Sequence, residues 1–161
     1  MQTLVLATGE RPGLEAIAGA APRPMLPVAN TPVMARMLEA LARLGVTQAH
    51  VCLLDRPGAI EGFFGDGMRW GMRLTYVPLR EPLGSAGAVR RAFPQLQETL
   101  LVAPADALID LDLAQALAVH RDSNAVLTVI KALTATGTTE PTDAFLLEPA
   151  ALDQIPATHS A

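Results

Sequence analysis

Short runs of apolar residues alternate along this chain with segments in which apolar residues recur every three or four positions. The runs have the length of buried strands, and the other segments have the period of amphipathic helices. Strands are predicted at residues 3–6, 48–54, 72–78, 98–103 and 124–133. Helices are predicted at 32–44 and 57–64, from the turn at 81–88 through residue 93, and at 113–120. This alternation is typical of an α/β protein with a mainly parallel sheet.

The first of these helices has clear start and stop signals. Thr31 is a suitable N-cap, Pro32 fits the first helical position, and Gly45 follows the last periodic residue. The next strand begins within a few residues of Gly45, which predicts a right-handed β-α-β unit. We therefore expect a three-layer αβα sandwich with a Rossmann-like, mainly parallel sheet, formed by a single domain over residues 1–161.

Some polar segments are assigned to connections rather than to chemistry. Residues 134–143 are predicted to form a polar loop. Asp110 and Asp112 are predicted to begin the helix at 113–120, and Asp66 is predicted to lie in a Gly-Asp-Gly turn rather than to bind a metal. His120 is predicted to be a favourable cation at a helix C-terminus or a surface residue.

The composition narrows the classes of function. The 161 residues are 50% hydrophobic and 17% charged, with a formal net charge of −4 and scattered basic residues. They show neither the basic stripe and stacking aromatics of nucleic-acid proteins nor an apolar run near the ~18 residues of a membrane span. We expect a cytoplasmic protein with neither partner, and the apolar excess indicates a subunit contact. Cys52, the one cysteine, is predicted to be a buried thiol.

The loop after the first strand is the first candidate for chemistry. Gly9 and Gly13 would let the backbone approach a phosphate closely, and Arg11 and Arg23 would supply positive charge. The alternative is that these glycines only form turns, because short glycine patterns are weak signals.

Two further candidates follow predicted strands. The glycine-rich turn at 81–88 precedes a helix, whose N-terminal N–H groups and dipole favour an anion, although an ordinary helix cap would have the same composition. Asp106 follows the strand at 98–103, where one carboxylate can hold a Mg²⁺ ion that bridges nucleotide phosphates.

These segments occur in the order found in a known family. Residues 6–9 and 22–28 resemble the signature of the sugar-phosphate nucleotidyltransferases, or NDP-sugar pyrophosphorylases, in which Leu-Ala-Gly-Gly-x-Gly-Thr-Arg-Leu is followed by Pro-Lys-Pro-Met. Further similar segments follow in order at 59–61, 64–67, 70–71, 81–88, 106 and 145–156. The resemblance implies the nucleotide-diphospho-sugar transferase fold.

The resemblance also implies a role for each candidate residue. Asp106 would bind Mg²⁺, and Arg23 stands in the place of the lysine of Pro-Lys-Pro. The implied ligand is a nucleoside triphosphate. The residues that would contact it are Ala7, Gly9, Leu83, Gly84 and Gly87.

The chain departs from the family pattern at positions that carry charge. Arg11-Pro12-Gly13 stands where the family has Gly-Thr-Arg, so the loop arginine is absent and Pro12 removes a backbone donor. Two further parts of the family pattern have no counterpart among the 161 residues. One is the longer segment that carries the sugar-phosphate lysine, and the other is a second metal-binding aspartate. Arg11 and Arg23 are weak substitutes. Loss of one cation on a transferring phosphoryl group costs about 10³-fold or more in rate.

We therefore expect a catalytically degenerate domain that lacks the family's sugar-binding insertion and C-terminal part. It would act as a nucleotide-binding, regulatory or assembly module, as a homo-oligomer or paired with an active relative. One alternative is an active pyrophosphorylase, which makes an NDP-sugar and pyrophosphate from a nucleoside triphosphate and a sugar 1-phosphate. The other is a purely structural oligomer that binds no ligand.

Overall fold

The computed structural model of the chain describes residues 1–8, 21–107, 110–134 and 136–155. The strands in these residues are β1 Gln2–Ala7, β2 Pro27–Val28, β3 Thr31–Pro32, β4 Gln48–Leu53, β5 Arg73–Pro78, β6 Leu100–Pro104, β7 Leu127–Leu133 and β8 Thr139–Leu147. The α-helices are α1 Val33–Arg43, α2 Pro57–Phe64, α3 Gly84–Ala92, α4 Leu113–Asp122 and α5 Pro149–Leu152. Single 3-10 turns are found at Arg23–Met25 and Met68–Trp70.

Six strands form one sheet in the order β5-β4-β1-β6-β8-β7. The pairs β1-β4, β1-β6 and β4-β5 are parallel, whereas β8 is antiparallel to both β6 and β7. Successive strands move outward from β1 through β4 to β5, and the chain then returns to place β6 on the other side of β1. This confirms the mainly parallel sheet and puts its topological switch point between β1 and β6.

Apolar side chains cover both faces of the sheet. In β1, Val5 and Ala7 pack with α1, α2 and α4, while Leu4 and Leu6 pack with α3 and α5. This alternation is the period-2 pattern of a strand that is buried on both sides. Fully burying one Leu or Met side chain contributes about 1.5–3 kcal/mol, so the two core layers stabilise the predicted three-layer sandwich.

Helix α1 ends as the sequence predicts. Gly45 has φ +85°, and the N–H groups of Gly45 and Val46 donate to the carbonyl oxygens of Ala42 and Leu41, both at 3.0 Å. These two bonds form a Schellman motif, in which glycine adopts the left-handed conformation at no steric cost.

The start of α1 differs from the prediction. Pro32 occupies the N-cap position and Val33 begins the helix, so the N-cap predicted at Thr31 is wrong. Thr31 instead pairs with Val28 in the small β2-β3 hairpin. The hairpin captures Thr31 because its two-residue turn fixes which residues face each other.

Other corrections concern residues 124–143. Strand β7 begins at Leu127 rather than at residue 124. The predicted polar loop at 134–143 is wrong over its second half, because Thr139 to Asp143 belong to β8. These residues are mostly exposed and pair with the end of β7, so long-range pairing rather than a local apolar pattern makes them a strand.

None of the helices in the described part of the chain combines the length and apolar character needed to cross a membrane.

Candidate functional site

The carboxyl ends of β1 and β6 form the switch-point crevice, where ligands of open α/β sheets bind. Ala7 is the last residue of β1, and Asp106 lies just beyond β6. The N–H of Ala105 donates to the carbonyl oxygen of Leu6 at 2.9 Å, so the segment that carries Asp106 stays attached to β1. Ala7 is buried, which limits its contribution at this crevice to the backbone.

Arg23 reaches the same crevice from a rigid turn. It begins the 3-10 turn Arg23–Met25 between two prolines, and the N–H of Leu26 donates to its carbonyl oxygen at 3.0 Å. The Arg23 Nη2 atom lies 2.9 Å from the Asp106 Oδ2 atom, and the two side chains are only 17% and 19% exposed. The structure therefore brings together two candidate residues that are far apart in sequence, as an ion pair shielded from solvent.

The β2-β3 hairpin that follows this turn is tied to α1. Arg36 donates from Nε to the carbonyl oxygen of Val28 at 2.9 Å and from Nη2 to that of Ala29 at 3.3 Å. The N–H of Val33 donates to the carbonyl oxygen of Leu26 at 2.9 Å. These bonds, which no pattern in the sequence indicates, anchor the segment after Arg23 to α1.

The ion pair decides how well this crevice fits a magnesium ion. One carboxylate can hold Mg²⁺ together with substrate phosphates, but Oδ2 of Asp106 already faces the guanidinium group of Arg23. An ion bound about 2.1 Å from that oxygen would lie within about 5 Å of the guanidinium, so the two cations would repel each other. The arrangement thus does not fit Mg²⁺ unless Arg23 moves.

The first residues of α3, which the sequence predicts as the end of a turn, include one open and one filled glycine position. Gly84 has φ +65°, and a Cβ added to it would have no heavy atom within 4 Å, so its backbone faces open space. A Cβ on Gly87 would lie 2.7 Å from the Cβ of Leu83, so that glycine is required for packing within the chain. Nucleotide contacts by Leu83, Gly84 and Gly87 stay a prediction, as do those of Gly9 and Arg11, which lie outside the described residues.

A buried polar network was missed by the sequence analysis. His120 is 1% exposed, which contradicts its prediction as a surface residue. Its Nδ1 atom lies 2.7 Å from the Thr128 hydroxyl, and its Nε2 atom lies 2.9 Å from Oε1 of Glu148, which also accepts a hydrogen bond from Thr99 at 2.7 Å. A carboxylate only accepts, so Nε2 carries a proton. The network joins the end of α4 to β7 and to the end of β8.

The hydrogen bond from Thr99 is the largest influence on Glu148 and lowers the pKa of its carboxyl group. Partial burial opposes this effect, and the hydrogen bond and charge of His120 support it. The members of the network come from three separate parts of the chain, at Thr99, at residues 120–128 and at Glu148. The only signal in the sequence was a histidine near the end of an amphipathic helix, so no local pattern indicated the network.

Three further side chains lie where the sequence predicts them. Cys52 is fully buried, and burial raises the pKa of its thiol to about 11, which confirms the buried thiol. Asp66 lies in a turn, where its Oδ1 atom accepts from the N–H of Met68 at 3.1 Å. Asp112 caps α4 by accepting from the N–H of Gln115 at 2.9 Å. The ring of His50 packs edge-on against Phe93.

Comparison with known proteins gives the chain its relatives. The family model described as "Nucleotidyl transferase" matches residues 2–143. A UTP--glucose-1-phosphate uridylyltransferase of Synechocystis is 34% identical over 142 residues, which cover 81% of this chain and 37% of that protein. A mannose-1-phosphate guanylyltransferase of Mycobacterium tuberculosis is 32% identical over 130 residues, which cover 80% and 36%. The chain spans little more than a third of the length of these two relatives.

Solved structures support the fold assignment. HddC from Yersinia pseudotuberculosis superposes with a TM-score of 0.80 at 18% identity, covering 96% of this chain and 80% of that one. The same protein complexed with GMP-PN superposes with a TM-score of 0.79 at the same identity and coverage. These neighbours have the nucleotide-diphospho-sugar transferase fold, as the resemblance implied. With the match to the family model, the chain belongs to the nucleotidyl transferase family, and its homologues include sugar-phosphate nucleotidyltransferases.

Proposed function

We propose that this chain binds a nucleoside triphosphate at the switch-point crevice between β1 and β6. The observation that carries the proposal is the Arg23–Asp106 ion pair, which is charged, shielded and located at the carboxyl ends of those strands. The triphosphate would lie against Arg23. The base would lie toward Leu83, Gly84 and Gly87 at the start of α3, where Gly84 leaves open space. The complex of HddC with GMP-PN, a protein of the same fold, is consistent with nucleotide binding.

We further propose that this chain alone transfers nucleotidyl groups slowly or not at all. The carboxylate that would hold a metal ion is paired with Arg23, and Arg11-Pro12-Gly13 replaces the family's Gly-Thr-Arg. Phosphoryl chemistry depends on positioning and on cations that stabilise the developing charge, so these changes bear on the transfer step more than on binding. A regulatory or assembly role in the cytoplasm would follow.

Assembly as a homo-oligomer or with an active relative is supported by the edge strand β7. Its residues Leu127, Val129 and Leu133 are 51%, 46% and 74% exposed, an unusual apolar content for a solvent-facing edge. Sedimentation of the purified chain tests this part of the proposal. A monomer at every accessible concentration would contradict the homo-oligomer. Failure to associate with a coexpressed full-length relative would contradict assembly with an active relative.

The binding proposal is tested by the thermal unfolding midpoint of the chain with UTP, GTP, dTTP or ATP in excess. At least one nucleotide should raise the Tm, because a ligand that binds only the folded state stabilises it by mass action. The matched control is the corresponding nucleoside, which lacks the phosphates and should give a much smaller shift. Equal Tm values with and without every nucleotide would refute the proposal.

The second candidate function is an active nucleotidyltransferase. It is favoured by the 34% identity to a protein named as a uridylyltransferase. Release of pyrophosphate in the presence of a nucleoside triphosphate and a panel of sugar 1-phosphates distinguishes the two. Turnover at ordinary enzymatic rates of about 1–10³ s⁻¹ would establish the active enzyme and refute the degenerate one.

A further inference from the structure

The positions of Arg23 and Asp106 are built into the fold rather than set by flexible side chains at a surface. Arg23 lies between Pro22 and Pro24, whose rings fix their own φ angles. Asp106 follows Ala105, whose N–H is bonded to Leu6 of the central strand. Both side chains are more than four-fifths buried, and their charged atoms are 2.9 Å apart. The guanidinium group therefore stands beside Asp106 in the absence of any ligand.

This placement affects what a triphosphate would meet in the crevice. A bare carboxylate repels phosphate oxygens, so it needs a cation between itself and the nucleotide. A divalent ion is the usual cation at such sites, but here an arginine already faces the carboxylate. Arginine stays protonated at all ordinary pH values, and its planar guanidinium suits phosphate as well as carboxylate.

We propose that Arg23 replaces the divalent cation at this crevice, so that nucleotide binding by this chain does not require Mg²⁺. The inference rests on the proposed nucleotide binding and specifies its chemistry: the ligand is a metal-free nucleoside triphosphate whose phosphates bind to the guanidinium group. Asp106 then positions Arg23 and weakens the phosphate interaction, instead of holding a metal ion.

The first experiment measures the dissociation constant of the nucleotide that gives the largest Tm shift, by calorimetry, in excess EDTA and in excess MgCl₂. The two dissociation constants should agree within about threefold, because the corresponding difference in binding free energy is smaller than that of one charge-assisted hydrogen bond. Binding that is at least tenfold tighter in MgCl₂ would overturn the inference and leave the proposed function standing. Absence of binding in both buffers would overturn both.

Two substitutions separate the alternatives by the direction of their effects. Arg23→Ala should raise the dissociation constant in EDTA by about tenfold or more, because it removes the cation. Asp106→Asn should lower that constant by about threefold, because it removes a negative charge near the phosphates. If Asp106 holds Mg²⁺, Asp106→Asn weakens binding in MgCl₂, and Arg23→Ala strengthens it by releasing the carboxylate. Either of these opposite results would overturn the inference.

The control variants make the same two substitutions, Arg to Ala and Asp to Asn, at exposed positions in α-helices. Arg43→Ala lies in the last turn of α1, and Asp122→Asn lies at the end of α4. Each control should change the dissociation constant by less than twofold, so a larger effect at Arg23 or Asp106 is local. Far-UV circular dichroism of each variant without nucleotide confirms that it is folded. If Arg23→Ala is unfolded, Arg23→Gln keeps part of the side chain and a hydrogen-bond donor but removes the charge, and it should show the same loss of affinity.

Discussion

Replacing Gly67 with alanine should destabilise this protein more than the same replacement at Gly45. Both glycines have left-handed backbones, with φ +84° and +85°, so alanine pays a similar conformational cost of about 1–2 kcal/mol at each. Their surroundings differ. A Cβ on Gly45 would meet no atom within 4 Å, whereas on Gly67 it would overlap Cγ of Leu74 and lie 2.7 Å from the carbonyl oxygen of Met72.

The second contact sets the size of the difference. Leu74 could shift its side chain, but the carbonyl oxygen of Met72 belongs to the backbone entering β5 and cannot move without disturbing that strand. Overpacking of this kind costs about 1–3 kcal/mol. Since alanine restricts the unfolded chain equally in both variants, this cost remains as the difference between them. In a chain of this size it corresponds to a Tm roughly 2–12 °C lower for Gly67→Ala.

The measurement is urea denaturation followed by far-UV circular dichroism. Tryptophan fluorescence is less suitable, because the single tryptophan, Trp70, lies close to Gly67 in the chain and would respond to the substitution itself. The two variants should share the wild-type dependence of unfolding free energy on urea and differ in midpoint. If Gly67→Ala is destabilised by no more than Gly45→Ala, the tight approach of Gly67 to Met72 and Leu74 is wrong.

Three further predictions follow from single contacts. Ala29 has φ +49° in the two-residue hairpin turn, a conformation that asparagine tolerates better than alanine and that valine disfavours. Ala29→Asn should therefore raise the unfolding free energy by about 0.5–1 kcal/mol, and Ala29→Val should lower it. Urea titration measures both changes. Because the pKa of Glu148 is lowered in the folded state, this carboxylate stabilises the protein above the pKa that it has in the unfolded chain. The contribution is lost as the pH falls through the pKa of the folded state. Glu148→Gln should therefore weaken the decrease of unfolding free energy at acid pH, and an unchanged decrease would contradict the role given to Glu148. Because burial raises the pKa of Cys52 to about 11, its thiol should react with a disulfide reagent at pH 8 only as fast as the protein opens, and urea should accelerate the reaction greatly.

Much of the sheet could be predicted because its strands are continuous apolar runs and α1 ends at Gly45 in a glycine motif with a defined sequence pattern. The second half of the loop predicted at 134–143 failed for the opposite reason. Its threonines, proline and acidic residues have the composition of a turn, and only pairing with β7 makes them a strand. Local propensity carries no information about such a partner.

At the candidate site the sequence identified the residues but not their relationship. The sequence predicts Arg23 as a positive charge for a phosphate and Asp106 as a carboxylate for Mg²⁺, each in a segment that follows a strand. Their contact with each other depends on the position of β6 on the side of β1 opposite to β4. The sequence predicts His120 only as a cation at a helix end or a surface residue, because its partners Thr128 and Glu148 become neighbours only in the folded sheet. Charge and position along the chain were predictable, while pairing across the chain was not.

The two outer strands of the sheet differ in their capacity to accept another strand. On the outer side of β5, the N–H of Leu74 is already bonded to the carbonyl oxygen of Asp66 at 2.8 Å, and Pro78 has no N–H to offer. Strand β7 pairs only with β8 among the described residues and presents apolar side chains along its length. Growth of the sheet is therefore directional: additional polypeptide can extend it beyond β7, whereas at β5 it would first have to displace the Asp66 turn.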